Sequence, residues 1–330
     1  MKQVASLSLD LDNQWSYQKT HGDNGWEDYP SYFDTVVPRV LEILGSRDLK
    51  ITFFIVGIDA TFTKNHQVIL SISEAGHEIG NHSYSHEPWM HRYSQPEIEA
   101  EIAKAEESLE AVIGDRPIGF RGPGFSCSGE ILQILQQRGY LYDASLFPTF
   151  IGPLARAYYF MTSSLKESEM EQRKDLFGGI GDVFRPIKQF CWRFDGGGLV
   201  EVPVTTMPLF RIPIHVSYLI YIAQYSKPLA DLYFKTAITL CQVLNVSPSL
   251  LLHPLDFLGG DDIRELSFFP GMGLKAKAKV DLVTKWIEMY SSSFSVVTIK
   301  QHVNTLMSKS QTLPNKTVRL SQEIGSLLSK

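Results

Sequence analysis

Short, nearly all-apolar runs alternate along the chain with longer stretches whose apolar residues recur at helical spacing, and this alternation leaves few folds open. The run at 51–56, Ile-Thr-Phe-Phe-Ile-Val, is the sharpest case. A strand apolar on both faces must be covered on both, which calls for a parallel sheet flanked by helices. Residues 4–9 read as the first strand, with later ones at 78–80, 118–120, 199–204, 250–252 and 294–299. Helical spacing marks 32–44, where Val36, Val37, Val40, Leu41 and Leu44 line one side, and also 66–75 and 129–138. The clearest helix is 96–113, rich in Glu, Ala and Lys, with a stripe of Ile98, Ile102, Ala105 and Leu109. About seven strands with intervening helices suit a barrel of β/α units, and a doubly wound open sheet is the alternative.

A chain of 330 residues can bury a large core, and 1–305 reads as one unit. Within it, 149–198 carries aromatics, glycines and charges without clear period and is expected to be a long insertion or lid. Residues 306–330 read as a polar tail. With 31 Lys and Arg against 36 Asp and Glu, no basic stripe points to nucleic acid. Cys127, Cys191 and Cys241 are too few and too scattered for a disulfide framework or a thiolate metal site. The first strand begins almost at Met1, with no apolar leader before it, so the expected location is the cytoplasm.

The stretch 208–225 stands apart, because it is apolar on nearly every side and holds no Asp, Glu, Lys or Arg from Ile212 to Ser226. It is too short to span a bilayer comfortably. It can lie in a membrane interface, with Tyr218, Tyr221 and Tyr225 at headgroup level. The alternative is a buried helix or a contact between subunits.

Chemistry gathers where strands end. Asp10 and Asp12, two residues apart, share one face of the first strand if it continues through them. Two acids closing an apolar strand are costly unless hydrated, paired or bound to a cation. His82 and His86 follow the third strand in Asn-His-Ser-Tyr-Ser-His; at i and i+4 they share one face of a helical turn and can chelate one divalent ion. Two imidazoles and one carboxylate leave positions open for water and substrate, as a catalytic metal requires. Arg121, in Phe-Arg-Gly-Pro-Gly-Phe, can fix a neighbouring carboxylate, and Gly122 and Gly124 let backbone approach a ligand. His253 leaves the apolar run 250–252. A lone histidine there is commonly a satisfied core residue. Each candidate, however, closes its own predicted strand, and in a β/α barrel those ends converge on one face.

The order and spacing of these residues resemble the NodB-type polysaccharide deacetylases, carbohydrate esterase family four. The matching stretches are Ser8-Leu9-Asp10-Leu11-Asp12, His82-Ser83-Tyr84-Ser85-His86, Arg121-Gly122-Pro123-Gly124, the neighbourhood of Tyr142-Asp143-Ala144-Ser145, and Leu251-Leu252-His253. The resemblance is dense over 4–148 and looser over 199–305. It implies a distorted barrel of about seven strands, Asp10 as general base, and Asp12, His82 and His86 as metal ligands. It also implies that Arg121 orients Asp10 and that His253 is the general acid. Gly124, Leu251 and Asp143 fall on the substrate side, Gly124 lending a backbone N–H to the oxyanion and Asp143 as a partner for His253. Two departures stand out. Leu11 separates aspartates that are adjacent in the usual first motif, as in a divergent branch of the superfamily, and the fourth motif lacks its usual Asp-x-x-Asp-Trp form.

The expected activity is therefore metal-dependent removal of an acetyl or formyl group from an N-acylated sugar, soluble or lipid-linked. Zinc is the first choice for an Asp-His-His set, with nickel, cobalt or manganese also able to bind. A hydrolase of a small soluble amide and an inactive metal-binding module are the rivals. The presence of both proton-transfer residues, Asp10 and His253, speaks against the second.

Overall fold

The structure is a computed structural model that describes residues 2–152, 184–308 and 313–317. Most of the stretch read as an insertion, and most of the polar tail, lie outside the described residues.

The α/β expectation holds. In chain order the strands are β1 (Val4–Leu11), β2 (Thr52–Ile55), β3 (Glu78–Asn81), β4 (Gly119–Phe120), β5 (Tyr142–Asp143), β6 (Phe190–Phe194), β7 (Gly197–Glu201), β8 (Ser249–Leu252), β9 (Ser295–Val297) and β10 (Asn315–Thr317). They form one sheet in the order β10-β6-β7-β5-β4-β3-β2-β1-β8, with β9 also on β1. Seven of them, from β7 across to β8, run parallel. β6 is antiparallel to β7, the two joined by the tight turn at Asp195 and Gly196. The sheet path is not closed, yet the chain just beyond β7 crosses the remaining gap. Val202 and Val204 N–H donate to the carbonyls of Asp143 and Leu146, and Thr205 N–H donates to Ser249 O of β8 at 3.0 Å.

β1 shows how one strand serves two surfaces. Side chains alternate between faces with period two. Ala5, Leu7, Leu9 and Leu11 enter the main hydrophobic cluster, together with Val36, Val37, Val40 and Leu44 of the helix Phe33–Gly45 and Ile69 and Ile72 of the helix Thr63–Glu74. Ser6, Ser8 and Asp10 occupy the opposite face and are buried as well. There Ser6 Oγ meets His302 Nδ1 at 3.1 Å and Ser8 Oγ accepts from Arg121 Nη1 at 2.9 Å. The main apolar core thus lies between sheet and helices, and the opposite face of β1 is polar.

The strongest predicted helix is Gln95–Ile113, opened by a capping box in which Ser94 and Glu97 bond each other, with Pro96 in its first turn. Ile98, Ile102, Ala105 and Leu109 are fully buried, so the stripe read from spacing is the packing face.

The apolar stretch 208–225 is core over much of its length. The helix Val216–Tyr225 buries Val216, Leu219, Ile220 and Ala223 in the main cluster, and Tyr221 and Tyr225 are exposed. The two rings pack edge to face at 5.6 Å. Leu219 has no exposed surface. The apolar side of this helix is thus its packing face, for a side chain already desolvated by its own fold cannot enter a bilayer without unfolding. No helix among the described residues is long and apolar enough to cross a membrane.

Candidate active site

Asp12, His82 and His86 meet where β1 and β3 end. Asp12 Oδ1 lies 3.3 Å from His82 Nε2 and 3.0 Å from His86 Nε2, and one ligand atom from each residue falls within 4.8 Å of the others. All three are buried. Among the described residues this is the one His/Cys/Asp/Glu group with metal-holding geometry. Neither imidazole makes an aligned hydrogen bond to Asp12 Oδ1, which remains a buried acceptor without a partner. Three donor atoms converging on one another, one of them orphaned, fit a divalent cation better than they satisfy themselves.

The backbone prepares both histidines. His82 Nδ1 donates to Arg121 O at 2.6 Å, since a carbonyl can only accept. The Nε2 lone pair is thereby turned toward Asp12, the tautomer a metal ligand needs. The segment after β3 is a loop, not the helical turn expected from the i, i+4 spacing. Ser83 and His86 take left-handed backbone angles, φ 59° and 53°. Such angles are costly for non-glycine residues and persist where surroundings enforce them. Here Asn81 Oδ1 accepts from Ser83 N–H, and Glu101 accepts from the N–H groups of Tyr84 and Ser85 and from the Ser85 hydroxyl.

Charge in the cluster is strongly coupled. Burial disfavours the Asp12 carboxylate, but His86 and His82 outweigh it and hold its pKa far below the usual range. Burial likewise opposes the His82 imidazolium, and Asp12 and Asp10 outweigh it and raise its pKa.

Asp10 sits one strand step before Asp12, and Arg121 Nη1 donates to its Oδ1 at 2.6 Å. Arg121 is entirely buried: Nε donates to Ala144 O at 2.9 Å, and the guanidinium stacks 4.3 Å from the Phe54 ring centre. Beyond it, Gly122 N–H donates to Ser145 Oγ, and a Cβ on Gly122 would stand 2.0 Å from Ser126 O, so no larger residue fits that turn. Gly124 has φ 57° and packs against Pro88. Leu251, the register partner of Ser8, is fully buried in β8.

His253 follows β8 and is half-buried. Asp143 is not its partner. The Asp143 carboxylate accepts from Ser145 Oγ at 2.6 Å and from Ser145 N–H, and it pairs with Glu201, its register neighbour on β7. With no exposed surface and its oxygens so engaged, it is unavailable to His253 or to a substrate. His253 instead meets Ser217 and Asp256. Ser217 Oγ lies 3.1 Å from His253 Nδ1 and donates to Asp256 Oδ1 at 2.7 Å, and His253 N–H donates to Asp256 Oδ2 at 2.8 Å. His215 stands beside them, its ring centre 5.6 Å from that of His253. Burial pushes the His215 pKa well down, with the His253 charge adding to it, so the ring is neutral. Ser217 and His215 were missed because they precede the fifth motif by over thirty residues in a stretch legible only as apolar. Asp256, three residues past His253 in His-Pro-Leu-Asp, was in plain view.

Residues 23–142 match the family model described as polysaccharide deacetylase. A peptidoglycan deacetylase-like protein of Gibberella zeae is 30% identical over 165 residues, covering 48% of this chain and 46% of that protein. A peptidoglycan-N-acetylglucosamine deacetylase of Bacillus cereus is 36% identical over 96 residues, covering 29% and 32%. The chain spans less than half the length of these curated relatives. A solved structure from Mycobacterium smegmatis, of a protein proposed to be a polysaccharide deacetylase, superimposes with a TM-score of 0.58 at 19% identity over 96% of both chains. At that identity the likeness speaks for the fold. Motif order and fold agree with the match over 23–142, and that part of the chain is similar to the polysaccharide deacetylases.

Proposed function

We propose that the protein is a metal-dependent amide hydrolase that removes a short acyl group from an N-acylated sugar of a glycan. The observation that carries this reading is the pairing of Asp10 with a buried Arg121 directly beside the Asp12, His82 and His86 cluster. A structural metal site would have no use for a second, separately held carboxylate. The relatives support the substrate class, since two of those named above are described as acting on, or resembling enzymes that act on, peptidoglycan.

A divalent ion held by Asp12, His82 and His86, with zinc the first choice for this donor set, would supply Lewis-acid polarisation of the acyl carbonyl and acidify water. Asp10 takes the proton as water oxygen bonds to the carbonyl carbon, and Arg121 holds the carboxylate in the orientation that accepts it. Gly124, on a left-handed turn, offers backbone N–H near the developing oxyanion. His253 gives a proton to the nitrogen as the carbon–nitrogen bond breaks, because an amine leaves poorly as an anion. The products are a free amino sugar and a short carboxylate.

The test is release of acetate or formate from N-acylated glucosamine oligomers by the metal-loaded protein. Release that disappears in Asp10→Asn while metal content stays constant supports the reading. No free amine from either acyl series, with metal bound, overturns it.

A further inference from the structure

We propose that Ser217 and Asp256 are positioning residues for His253, forming a serine-bridged carboxylate–imidazole chain that fixes the ring for proton transfer. This rests on the reading of His253 as the proton donor, and it replaces the fourth-motif aspartate with a carboxylate from a different part of the chain.

Three contacts define the chain. Ser217 Oγ gives its single proton to Asp256 Oδ1 at 2.7 Å and meets His253 Nδ1 at 3.1 Å. Asp256 Oδ2 accepts the main-chain N–H of His253 at 2.8 Å, so one carboxylate holds both the backbone and, through Ser217, the ring. Its first oxygen reaches the ring by way of the hydroxyl. Nδ1 is thereby occupied, and Nε2 is the ring nitrogen left for a substrate. Asp256 is 1% exposed, which is expensive for a carboxylate without a role.

The charges facing this chain come from several elements. Lys279, buried on the helix Ala276–Ser293, donates to Leu255 O and lies within electrostatic range of Asp256. The Tyr17 phenol, on the helix Gln14–His21, is also within range of Asp256. His215, beside His253, is neutral. Burial raises the Asp256 pKa, and His253, Ser217 and Lys279 act against that rise. Asp256 is the carboxyl group in direct contact with the backbone and bridge of His253. When ionised it stabilises an imidazolium formed one hydroxyl away.

The arrangement differs from a directly bonded Asp–His pair in one respect. A hydroxyl bridge lets the ring be oriented without drawing a full carboxylate onto Nδ1. Truncating the bridge and neutralising the carboxylate therefore have separable effects.

The experiment reads the His253 ring tautomer in the free, metal-loaded protein by NMR with nitrogen-labelled histidine, and kcat and KM on an N-acylated glucosamine oligomer. Asp256→Asn leaves one acceptor where the carboxylate served both Ser217 Oγ and the His253 N–H, so kcat falls about tenfold and the ring no longer holds a single tautomer. Ser217→Ala lowers kcat about tenfold with KM and metal content unchanged, and Ser217→Thr restores it. A purely structural role moves the melting temperature of both variants and leaves the ring tautomer and kcat in place, and that result overturns the proposal. If Asp256→Asn does not fold, the half-buried Ser217→Ala decides through kcat and the ring tautomer. If the wild-type protein releases no acyl group, the proposed function falls, and the ring tautomer still decides whether Ser217 and Asp256 fix the ring.

Discussion

Arg121 Nη1 donates to Asp10 Oδ1 at 2.6 Å across a space from which the arginine has no exposure to water. Breaking such a pair by removing one partner leaves an uncompensated buried charge, at a cost of roughly 3–5 kcal/mol. Arg121→Met is therefore expected to lower stability by about that amount, measured by urea unfolding. Asp10→Asn leaves the Arg121 charge uncompensated but keeps an acceptor for Nη1, so it should cost less stability than Arg121→Met, yet lose on the order of a hundredfold in kcat because an amide takes no proton. Equal stability losses in the two variants would mean that Asp10 is structural.

Wild-type protein is expected to carry about one divalent ion per chain through gel filtration. His82→Ala combined with His86→Ala should remove it, read by elemental analysis. Protons compete with the ion for the same ligand atoms, so the loaded site should release it as pH falls. Unchanged metal content in the double variant would place the ion elsewhere.

Asp143 and Glu201 form a buried carboxyl pair in which burial raises both pKa values, and the Asp143 charge pushes Glu201 further up. A carboxyl with a raised folded-state pKa holds its proton where the unfolded chain has released it. Its contribution to stability is complete below the ordinary carboxylate range and is lost as pH rises from there through the folded value. Glu201→Gln keeps a donor to Asp143 without the proton, so its melting temperature should decline less steeply between acidic and alkaline pH than that of wild type. Parallel declines would show that the pair does not hold the proton.

Leu219→Ala should cost about 2–5 kcal/mol, the range for a large side chain deleted from a packed interior. Tyr225→Ser, on the exposed end of the same helix, should change stability by less than about 0.5 kcal/mol. Thermal denaturation of both variants separates a core helix from a docking helix, and a tolerated Leu219→Ala would restore the docking view.

The sequence was most readable where one physical rule acted alone. The stripe Ile98, Ile102, Ala105 and Leu109 followed from helical period, and the alternation through β1 followed from strand period. Asp10, Asp12, His82, His86, Arg121 and His253 were found because each ends a strand, and Asp12, His82 and His86 do converge, as do Asp10 and Arg121. The approach of His82 to His86 was foreseen, but its cause was not. Spacing suggested a helical turn, whereas a loop held by Glu101 brings the rings together. Asp143 was misplaced because its sequence neighbourhood could not reveal Glu201, its register partner on β7. Ser217 was hidden for the same reason, since its value depends on the fold of 216–225 against the end of β8.

The alternation along β1 sets a limit on how this protein can change. Odd positions write the core and even positions write the chemistry, in a single interleaved text. Deleting Leu11 would not bring the two acids together in working order. It would turn one of them toward the leucine side and leave a hole where Leu11 had packed. This strand can be edited by substitution alone.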